Sequence, residues 1–313
     1  MKKLFVWFLP VLAAVAGALL LSGCSLARQE FFSDSDAYTA GDAAISDRVD
    51  AIDIAWLSGE VRVERGEGTE VLLSEASDTD LTEKMRLQWL LDGGTLRVKF
   101  ASAGAREETE NYVDKQLTIT LPRDLALREF RVHTSSAGLA GDIGAAEEVH
   151  ISTASGDTNI LCDTPELCTN SASGSVAVEN RADAPHTIDI RAVSGCVSLS
   201  YGRSSGTVYV KTTSGSISVS AEAAENLTLE STSGKIDCVL RSAGSQNGEF
   251  KTTSGDIILC IPRDQGFTLE KTTGSGRLNG GDFGFSEDEA TCVYGDGSAA
   301  FRVTTTSGNV TLR

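Results

Sequence analysis

Six cysteines offer the widest range of chemistry in this 313-residue sequence, apart from a seventh near its beginning. Cys162 and Cys168 enclose a short CDTPELC segment, and Cys238 and Cys260 occupy nearly the same position in two successive repeats. An even number of cysteines permits disulfide bonds in an exported chain, so these are the two candidate pairs. The alternative is six free thiols buried as small apolar side chains, and the sequence leaves both open.

Carboxylates are the second group with catalytic potential, as the acid and base of a polysaccharide lyase or a glycosidase. Asp157 and Asp256 occupy the same position of a repeated unit, but five units separate them, or about 24 Å if units stack at the strand spacing. Glycoside hydrolysis needs carboxyl groups roughly 5 to 9.5 Å apart. Asp142 is closer to Asp157 along the chain but falls at a different position of its unit. We therefore predict no catalytic residue.

Metal and nucleic-acid chemistry are disfavoured by composition. His133, His150 and His186 share no motif, and the sequence contains no CxxC pair, so we predict no metal site and no cofactor. The 27 Lys and Arg residues against 44 Asp and Glu residues give a net charge of −17. Without a basic stripe to neutralise phosphates, nucleic-acid binding is excluded.

The N-terminal residues carry a targeting signal. Lys2 and Lys3 precede an uncharged apolar run over 4–21, which is typical of an export signal. The run ends in Leu-Ser-Gly-Cys at 21–24, which resembles the bacterial lipobox. We predict a signal peptide over 1–23 and lipidation of Cys24, which would attach the protein to a membrane outside the cytoplasm. An uncleaved transmembrane segment is the alternative.

The segment that follows is polar and has no sustained period. Residues 24–47 are therefore predicted to be a flexible tether, with Phe31 and Phe32 exposed to solvent.

A repeat of about 20 residues dominates the rest of the chain. Its clearest copies are TTSGSISVS at 212–220, STSGKIDCV at 231–239, TTSGDIILC at 252–260 and TTSGNVTLR at 305–313. Apolar residues recur five positions before the glycine and two after it, often with another two further on. A spacing of two is the period of a β-strand. Each unit is therefore predicted to be a strand, a Ser-Gly turn and a second strand.

An antiparallel meander and a β-solenoid both fit this unit. Near-identity at fixed positions favours the solenoid, because equivalent residues then stack at about 4.8 Å and the serines before the glycines would form a hydroxyl ladder. We predict an all-β, single-stranded β-solenoid over 133–313, with coils of about 20 residues. Residues 48–132 are predicted to be a β-hairpin cap over its N-terminal end. The glycine-rich insert after Gly274 is predicted to be a loop or irregular coil, and the last strand an open edge.

The chain resembles a known family through four features. They are the lipobox, the LTITLP strand at 117–122, the IPRD segment at 261–264 and the repeated T-[ST]-S-G-x-[IV] turn. Together they are similar to the bacterial putative-adhesin family, a domain of unknown function built of β-strand repeats, over about 48–313. The resemblance implies a right-handed β-solenoid at the cell surface, without established catalytic residues, in proteins that recur as lipoproteins or beside envelope-stress proteins.

The expected function is non-catalytic. We predict a lipid-anchored scaffold of the cell envelope that binds an envelope protein or a repeating glycan on an extended coil face. A carbohydrate-active lyase or hydrolase is the alternative, and it would require a cluster of carboxylates or basic residues on one face of adjacent coils.

Overall fold

The computed structural model describes residues 31–33, 35–107, 113–242, 246–287 and 289–313. Within these residues the secondary structure is 26 strands and two short 3₁₀ helices, η1 (Ala103–Glu107) and η2 (Gly281–Phe283). In the described part of the chain, no helix is long and apolar enough to cross a membrane. The predicted signal peptide and Cys24 lie outside the described residues.

The strands are β1 (Phe32–Ser33), β2 (Thr39–Ala40), β3 (Ala43–Ile45), β4 (Ala51–Trp56), β5 (Gly59–Gly66), β6 (Val71–Ser77), β7 (Gln88–Asp92), β8 (Thr95–Lys99), β9 (Ala101–Ser102), β10 (Lys115–Pro122), β11 (Leu127–Thr134), β12 (Gly138–Thr153), β13 (Thr158–Asp163), β14 (Glu166–Ser171), β15 (Val176–Asn180), β16 (Thr187–Ala192), β17 (Val197–Thr212), β18 (Ile217–Ser231), β19 (Ile236–Leu240), β20 (Asn247–Thr252), β21 (Ile257–Cys260), β22 (Phe267–Thr273), β23 (Leu278–Asn279), β24 (Thr291–Tyr294), β25 (Ala299–Thr305) and β26 (Val310–Leu312).

Consecutive repeats pair in parallel. Val197 pairs with Ile217, Ile217 with Ile236, and Ile236 with Ile257, so equivalent residues of successive units lie side by side. A meander would join neighbouring strands in antiparallel pairs, and this pattern rules it out for the repeat. The all-β prediction is confirmed, and the parallel pairing is that of a solenoid-like stack.

Two parallel stacks of strands result, one on each side of the turn. The first sheet contains the strand segments that enter a Ser-Gly turn, in the spatial order β8, β4, β11, β12, β14, β16, β17, β18, β20, β25 and β22. The second sheet contains the segments that leave the turn, from β10 through β5, β12, β13, β15, β17, β18, β19, β21 and β26 to β23. The apolar side chains between the two sheets form the core.

In most turns the glycine packs directly against the backbone carbonyl of the glycine in the preceding turn, and this ladder of buried contacts sets the distance between turns. A Cβ added to Gly215 would lie 1.9 Å from the carbonyl oxygen of Gly195, and one added to Gly234 would lie 1.8 Å from that of Gly215. Any larger side chain would push the coils apart, so the repeat requires glycine for close backbone approach rather than for a left-handed conformation.

A second ladder comes from a Thr or Ser three residues before most of the turn glycines, among them Gly215, Gly234 and Gly255, whereas Gly195 has Ala192 there. The buried Thr212 hydroxyl accepts the Gly215 amide at 3.0 Å and donates to the Gly195 carbonyl of the preceding coil at 3.3 Å. The predicted ladder of serines directly before the glycines is wrong, because those side chains point to solvent and the described hydrogen bonds join none of them to another. Ser214 instead bonds through its backbone amide, to Val193.

The last coils depart from the predicted alignment. Gly276, rather than Gly274, takes the ladder position, since its Cβ would lie 1.7 Å from the Gly308 carbonyl oxygen and its amide bonds the Thr273 hydroxyl at 2.9 Å. The insert that follows is not a projecting loop. It folds back as η2 and the antiparallel strand β24. Three of its aromatic rings, Phe283, Phe285 and Tyr294, pack with Phe267 of β22 and Phe301 of β25 and cover the end of the core.

The order of coils in space differs from their order in the chain at both ends. The first coil, β4 and β5, lies between β8 with β10 on one side and β11 with β12 on the other. The last coil, β25 and β26, lies between β20 with β21 and β22 with β23. The prediction that the last strand is an open edge is therefore wrong, because β26 has a partner on each side.

The predicted cap over 48–132 is part hairpin and part stack. β7 and β8 form the predicted hairpin, and β6 also pairs antiparallel, at the outer side of β10. However, β4, β5, β8 and β10 belong to the parallel sheets, so residue 133 does not mark a structural boundary. The reason is that the residues around Gly59 already form a strand-turn-strand unit.

Most of the predicted tether, the described residues from 31 to 47, is ordered against this end. Phe31 is 1% exposed and Phe32 5% exposed, and Phe32 pairs with Ala101 in parallel. β2 adds to β7, and β3 adds to β6. The tether prediction is wrong for residues 31–47, because the two aromatic rings bury apolar surface that a solvated linker would expose.

A buried ion pair fixes the N-terminal end. The Lys115 ammonium lies 2.6 Å from a Glu75 carboxylate oxygen, and the two side chains are 1% and 2% exposed. Lys115 also donates to the carbonyls of Met85, at 2.6 Å, and Phe100, and its Nζ lies 4.0 Å from the centre of the Phe100 ring. Burial outweighs the attraction of Glu75 and lowers the pKa of Lys115 to about 8.

Side-chain direction in the stack gives a first prediction. Ile236 and Ile257 are fully buried between the sheets, whereas Lys251 points to solvent. Ile236→Asp or Ile257→Asp is expected to cost more than about 4 kcal/mol, because an unpaired carboxylate enters the core, whereas Lys251→Asp should change stability by about 0.5 kcal/mol or less. Thermal and urea unfolding of the three variants checks this, and equal losses would show that the inward positions are misassigned.

Candidate functional site

The outward side chains of the first sheet form the most varied surface of the repeat. They alternate with the buried positions, so every strand contributes one residue to each of several rows running along the stack. One row contains Arg131, His150, Cys168, Asp189 and Tyr209 on β11, β12, β14, β16 and β17. We call this surface the outer face.

A row of glutamates crosses the N-terminal half of the outer face. Glu129 pairs in register with Glu148, and Glu148 with Glu166, on three neighbouring strands. Glu129 contacts Arg131 and lies 3.7 Å from Arg128, while Glu148 lies 3.2 Å from the His150 ring nitrogen. This row was not among the predicted sites, although each glutamate stands eight residues before a turn residue of the repeat.

Two shallow grooves lie on the outer face. The first has a volume of about 390 Å³ and is lined in part by Asp53, Lys99, Arg131, His133, His150 and Cys168. The second has a volume of about 360 Å³ and is lined in part by Asn226, Asn247, Glu249, Glu270 and Arg302. Their centres are about six strands apart, which corresponds to roughly 29 Å. Both are shallow and lined mainly by polar and charged side chains.

Most charges between the grooves are paired on the surface. Arg191 bonds Asp189 at 2.8 Å and Lys211 bonds Glu230 at 3.1 Å. The hydrogen bond to Asp189 raises the pKa of Arg191, and that to Glu230 raises the pKa of Lys211. Partial burial opposes ionisation of Glu230, but its hydrogen bond from Lys211 prevails and lowers its pKa. This part of the outer face therefore presents hydrogen-bonding groups with little unbalanced charge.

In each candidate disulfide, one thiol lies inside the core and the other outside it. All six described thiols are free. Cys162 and Cys238 point into the core, whereas Cys168 and Cys260 occupy outward positions of their strands. Cys162 and Cys168 lie on different sheets. Cys238 and Cys260 lie on the paired strands β19 and β21 but point to opposite sides of their sheet, so neither pair is bridged in this structure. Burial raises the pKa of Cys162 to about 12 and also raises that of Cys238, which keeps both as unreactive thiols.

The aspartates considered for catalysis have structural roles at the turns. Asp157 accepts the Ser175 amide of the next coil at 2.8 Å, and Asp256 accepts the Asn309 amide at 2.7 Å. Each carboxylate therefore ties one turn to its neighbour.

The fold and this surface define a class of protein: an all-β repeat domain of parallel stacked strands with an open, polar outer face. Residues 49–313 match the model of the Toastrack DUF4097 family, and the chain belongs to that family.

Several solved structures are similar to this chain at low identity. A putative adhesin from Parabacteroides merdae is 13% identical, with a TM-score of 0.51 over 89% of this chain and 97% of that one. A putative lipid binding protein from Parabacteroides distasonis is 16% identical, with a TM-score of 0.43 over 89% and 98%. A putative adhesin from Bacteroides fragilis is 12% identical, with a TM-score of 0.33 over 89% and 98%. The first supports the fold alone. A search of curated proteins found no match.

Proposed function

We propose that this protein is a non-catalytic, adhesin-like module of the cell envelope that binds a repeating glycan or an envelope protein along its outer face. In this proposal the stack is a right-handed solenoid with coils of about 20 residues, closed at the N-terminal end by the hairpins within 48–132. Right-handed crossovers are the rule for parallel strands. The observation that supports this proposal is the outer face itself, which has polar rows repeated at every strand and two grooves about 29 Å apart.

Multiplicity is the physical argument for such a ligand. Each contact on an open polar surface is weak, but a polymer lying along the stack meets the same kind of contact at every coil. When one polymer molecule makes several such contacts, their binding free energies add, because the polymer loses its translational freedom only once. The strand spacing of about 4.8 Å also approaches the length of one sugar ring in an extended polysaccharide.

Two arginines, one in each groove, test this proposal. Arg131→Ala and Arg302→Ala are each expected to weaken retention of the full chain on immobilised cell-envelope glycan at least about tenfold, and the double variant more than either. Arg62→Ala is the matched control, because Arg62 is also exposed and bonded to a carboxylate, that of Glu60, but lies on the second sheet. If the Arg62 variant loses as much binding as the other two, the outer face is not the binding surface.

A carbohydrate-active enzyme is the second candidate, and the pairing of Glu129 with Glu148 on neighbouring strands favours it. This alternative requires such a cluster on adjacent coils. Against it, Glu129 is held by two arginines, Arg128 and Arg131, and the cluster lies on an open face. Release of reducing or unsaturated sugars from envelope polysaccharide, abolished by Glu148→Gln, would establish the enzyme and overturn the scaffold.

Lipid anchoring at Cys24 is part of the proposal. Cys24→Ser is expected to abolish labelling by a fatty-acid analogue and to leave the precursor uncleaved, because the thiol is the site of attachment. Gel mobility and mass measurement of the membrane fraction check this. Equal labelling of the variant would show that another residue carries the lipid.

An anchor at this position would hold the protein close to the membrane. Residues 25–30 are the only ones between Cys24 and Phe31, which packs against the body, so the reach is at most about 25 Å.

A further inference from the structure

We propose that Glu129, Glu148 and His150 bind a divalent transition-metal ion, for which Zn²⁺ is the best match. One carboxylate oxygen from each glutamate and one ring nitrogen of the histidine all lie within 4.8 Å of one another. Ligand atoms about 2.0 to 2.2 Å from a shared ion lie at most about 4.4 Å apart, so small side-chain rotations suffice. The site lies on the outer face, but metal binding does not depend on the proposed function.

The fold places these three ligands on rigid elements. Glu129 on β11 and Glu148 on β12 are directly paired in the parallel register, and His150 follows Glu148 by two residues on the same side of β12. Both strands have hydrogen-bonded neighbours on each side, so the backbone of the site is fixed before an ion arrives. Pre-positioned ligands lower the cost of assembling a coordination sphere.

The donor set indicates which metal fits. An imidazole nitrogen with two carboxylate oxygens suits Zn²⁺ and its neighbours in the first transition series, whereas Ca²⁺ and Mg²⁺ prefer oxygen ligands alone. Two of the three ligands are open to solvent, since the side chains of Glu148 and His150 are 50% and 40% exposed while that of Glu129 is 19% exposed, so water can complete the coordination. Cys168 and Glu166 occupy the neighbouring positions on β14 and are the nearest further donors along the rows.

Two arginines compete with the ion for Glu129. Arg131 contacts its carboxylate and Arg128 lies 3.7 Å away, and both arginine side chains are more than half exposed. They are free to turn into solvent when a metal takes the carboxylate, but their attraction for Glu129 must be overcome. The proposal therefore makes an unusual prediction: removing the charge of Arg131 should strengthen metal binding.

Calorimetric titration of the full chain with ZnCl₂ alone, in detergent and reductant, tests the site. One ion per chain is expected at this site, with affinity reduced at least about tenfold in His150→Ala and in Glu148→Gln and increased in Arg131→Gln. Three control variants should leave the affinity for Zn²⁺ unchanged. They are His186→Ala, Cys196→Ser, which removes the exposed thiol, and Arg191→Gln, which alters another arginine of the outer face.

The variants separate a real site from incidental binding. A gain in zinc affinity in Arg131→Gln cannot result from misfolding. Circular dichroism verifies the fold of the variants whose zinc affinity is reduced. Unchanged affinity in His150→Ala, or loss of binding in Cys196→Ser, would overturn the proposal and assign the ion to thiols or to scattered carboxylates. Because the titration uses the metal without any glycan, its failure leaves the groove proposal standing, and failure of glycan retention leaves the metal site standing.

Discussion

Replacing Lys115 with methionine is expected to lower the free energy of unfolding by about 3 to 5 kcal/mol. Methionine fills a similar volume, but it leaves the Glu75 carboxylate inside the protein without its counter-ion. Among the described contacts, Glu75 then keeps the Leu87 amide, which both of its oxygens accept at 3.0 Å. A buried charge that loses its partner cannot regain the water it gave up on folding. Urea unfolding at neutral pH measures the loss.

Removing both charges distinguishes this explanation from simple damage to packing. The double variant Lys115→Met with Glu75→Leu is expected to recover most of the lost stability, because well-packed apolar residues replace a buried ion pair at little cost. A double variant as unstable as the single one would show that the shape of the lysine matters and its charge does not.

Substitution of one ladder glycine is expected to have a comparable effect. Gly215→Ala should lower stability by about 3 kcal/mol, at the upper end for overpacked interiors, because its methyl group would meet the Gly195 carbonyl oxygen at 1.9 Å and neither backbone can move without breaking the ladder. Gly202→Ala is the matched control. Gly202 lies in β17, the strand that leads into the turn containing Gly215, and a Cβ there meets nothing within 4 Å.

The control variant should match the parent within about 0.5 kcal/mol, or be slightly more stable because alanine restricts the unfolded chain. Thermal unfolding of both variants decides whether the loss at Gly215 comes from close backbone approach or from a general intolerance of this coil to side chains in place of glycine. Equal losses at Gly215 and Gly202 would remove the ladder as the explanation.

The repeat was predictable from the sequence because its physical requirements act within one unit. Strand period and the apolar positions around the turn are local, and residues such as Ile236 and Ile257 were assigned to the core from spacing alone. The repeated turn also predicted a glycine, although its reason, contact with the preceding coil, appears only when coils are stacked.

Features that depend on contacts between distant segments were not predictable. Gly274 and Gly276 are both glycines before a strand, and only pairing with Gly308 selects the second. The burial of Phe31 depends on apolar surface built by residues about 70 positions later. The spatial order of the terminal coils likewise results from tertiary packing, which local spacing does not encode.

The outer face was predictable in part. Glu129, Glu148 and Glu166 share one position of the repeat, so the spacing of the sequence already contains their row. The carboxylates compared for catalysis were instead the aspartates near the turn, where the repeat is most regular. The cysteine pairs are a different case: Cys238 and Cys260 fall at adjacent rather than equal positions of their repeats, so a bulge of one residue is needed to bring the two thiols to one side of the sheet.

Interleaving of the two terminal coils has a mechanical consequence. A pull on either end of the body, beyond the short strands β1 to β3, reaches a coil whose strands are hydrogen-bonded to parallel neighbours on both sides. Tension along such a strand is shared by all the bonds of two ladders in shear, whereas a strand at a free edge peels away one bond at a time. A protein tethered by one end and loaded by flow or by a bound polymer would thus resist unravelling from either terminus.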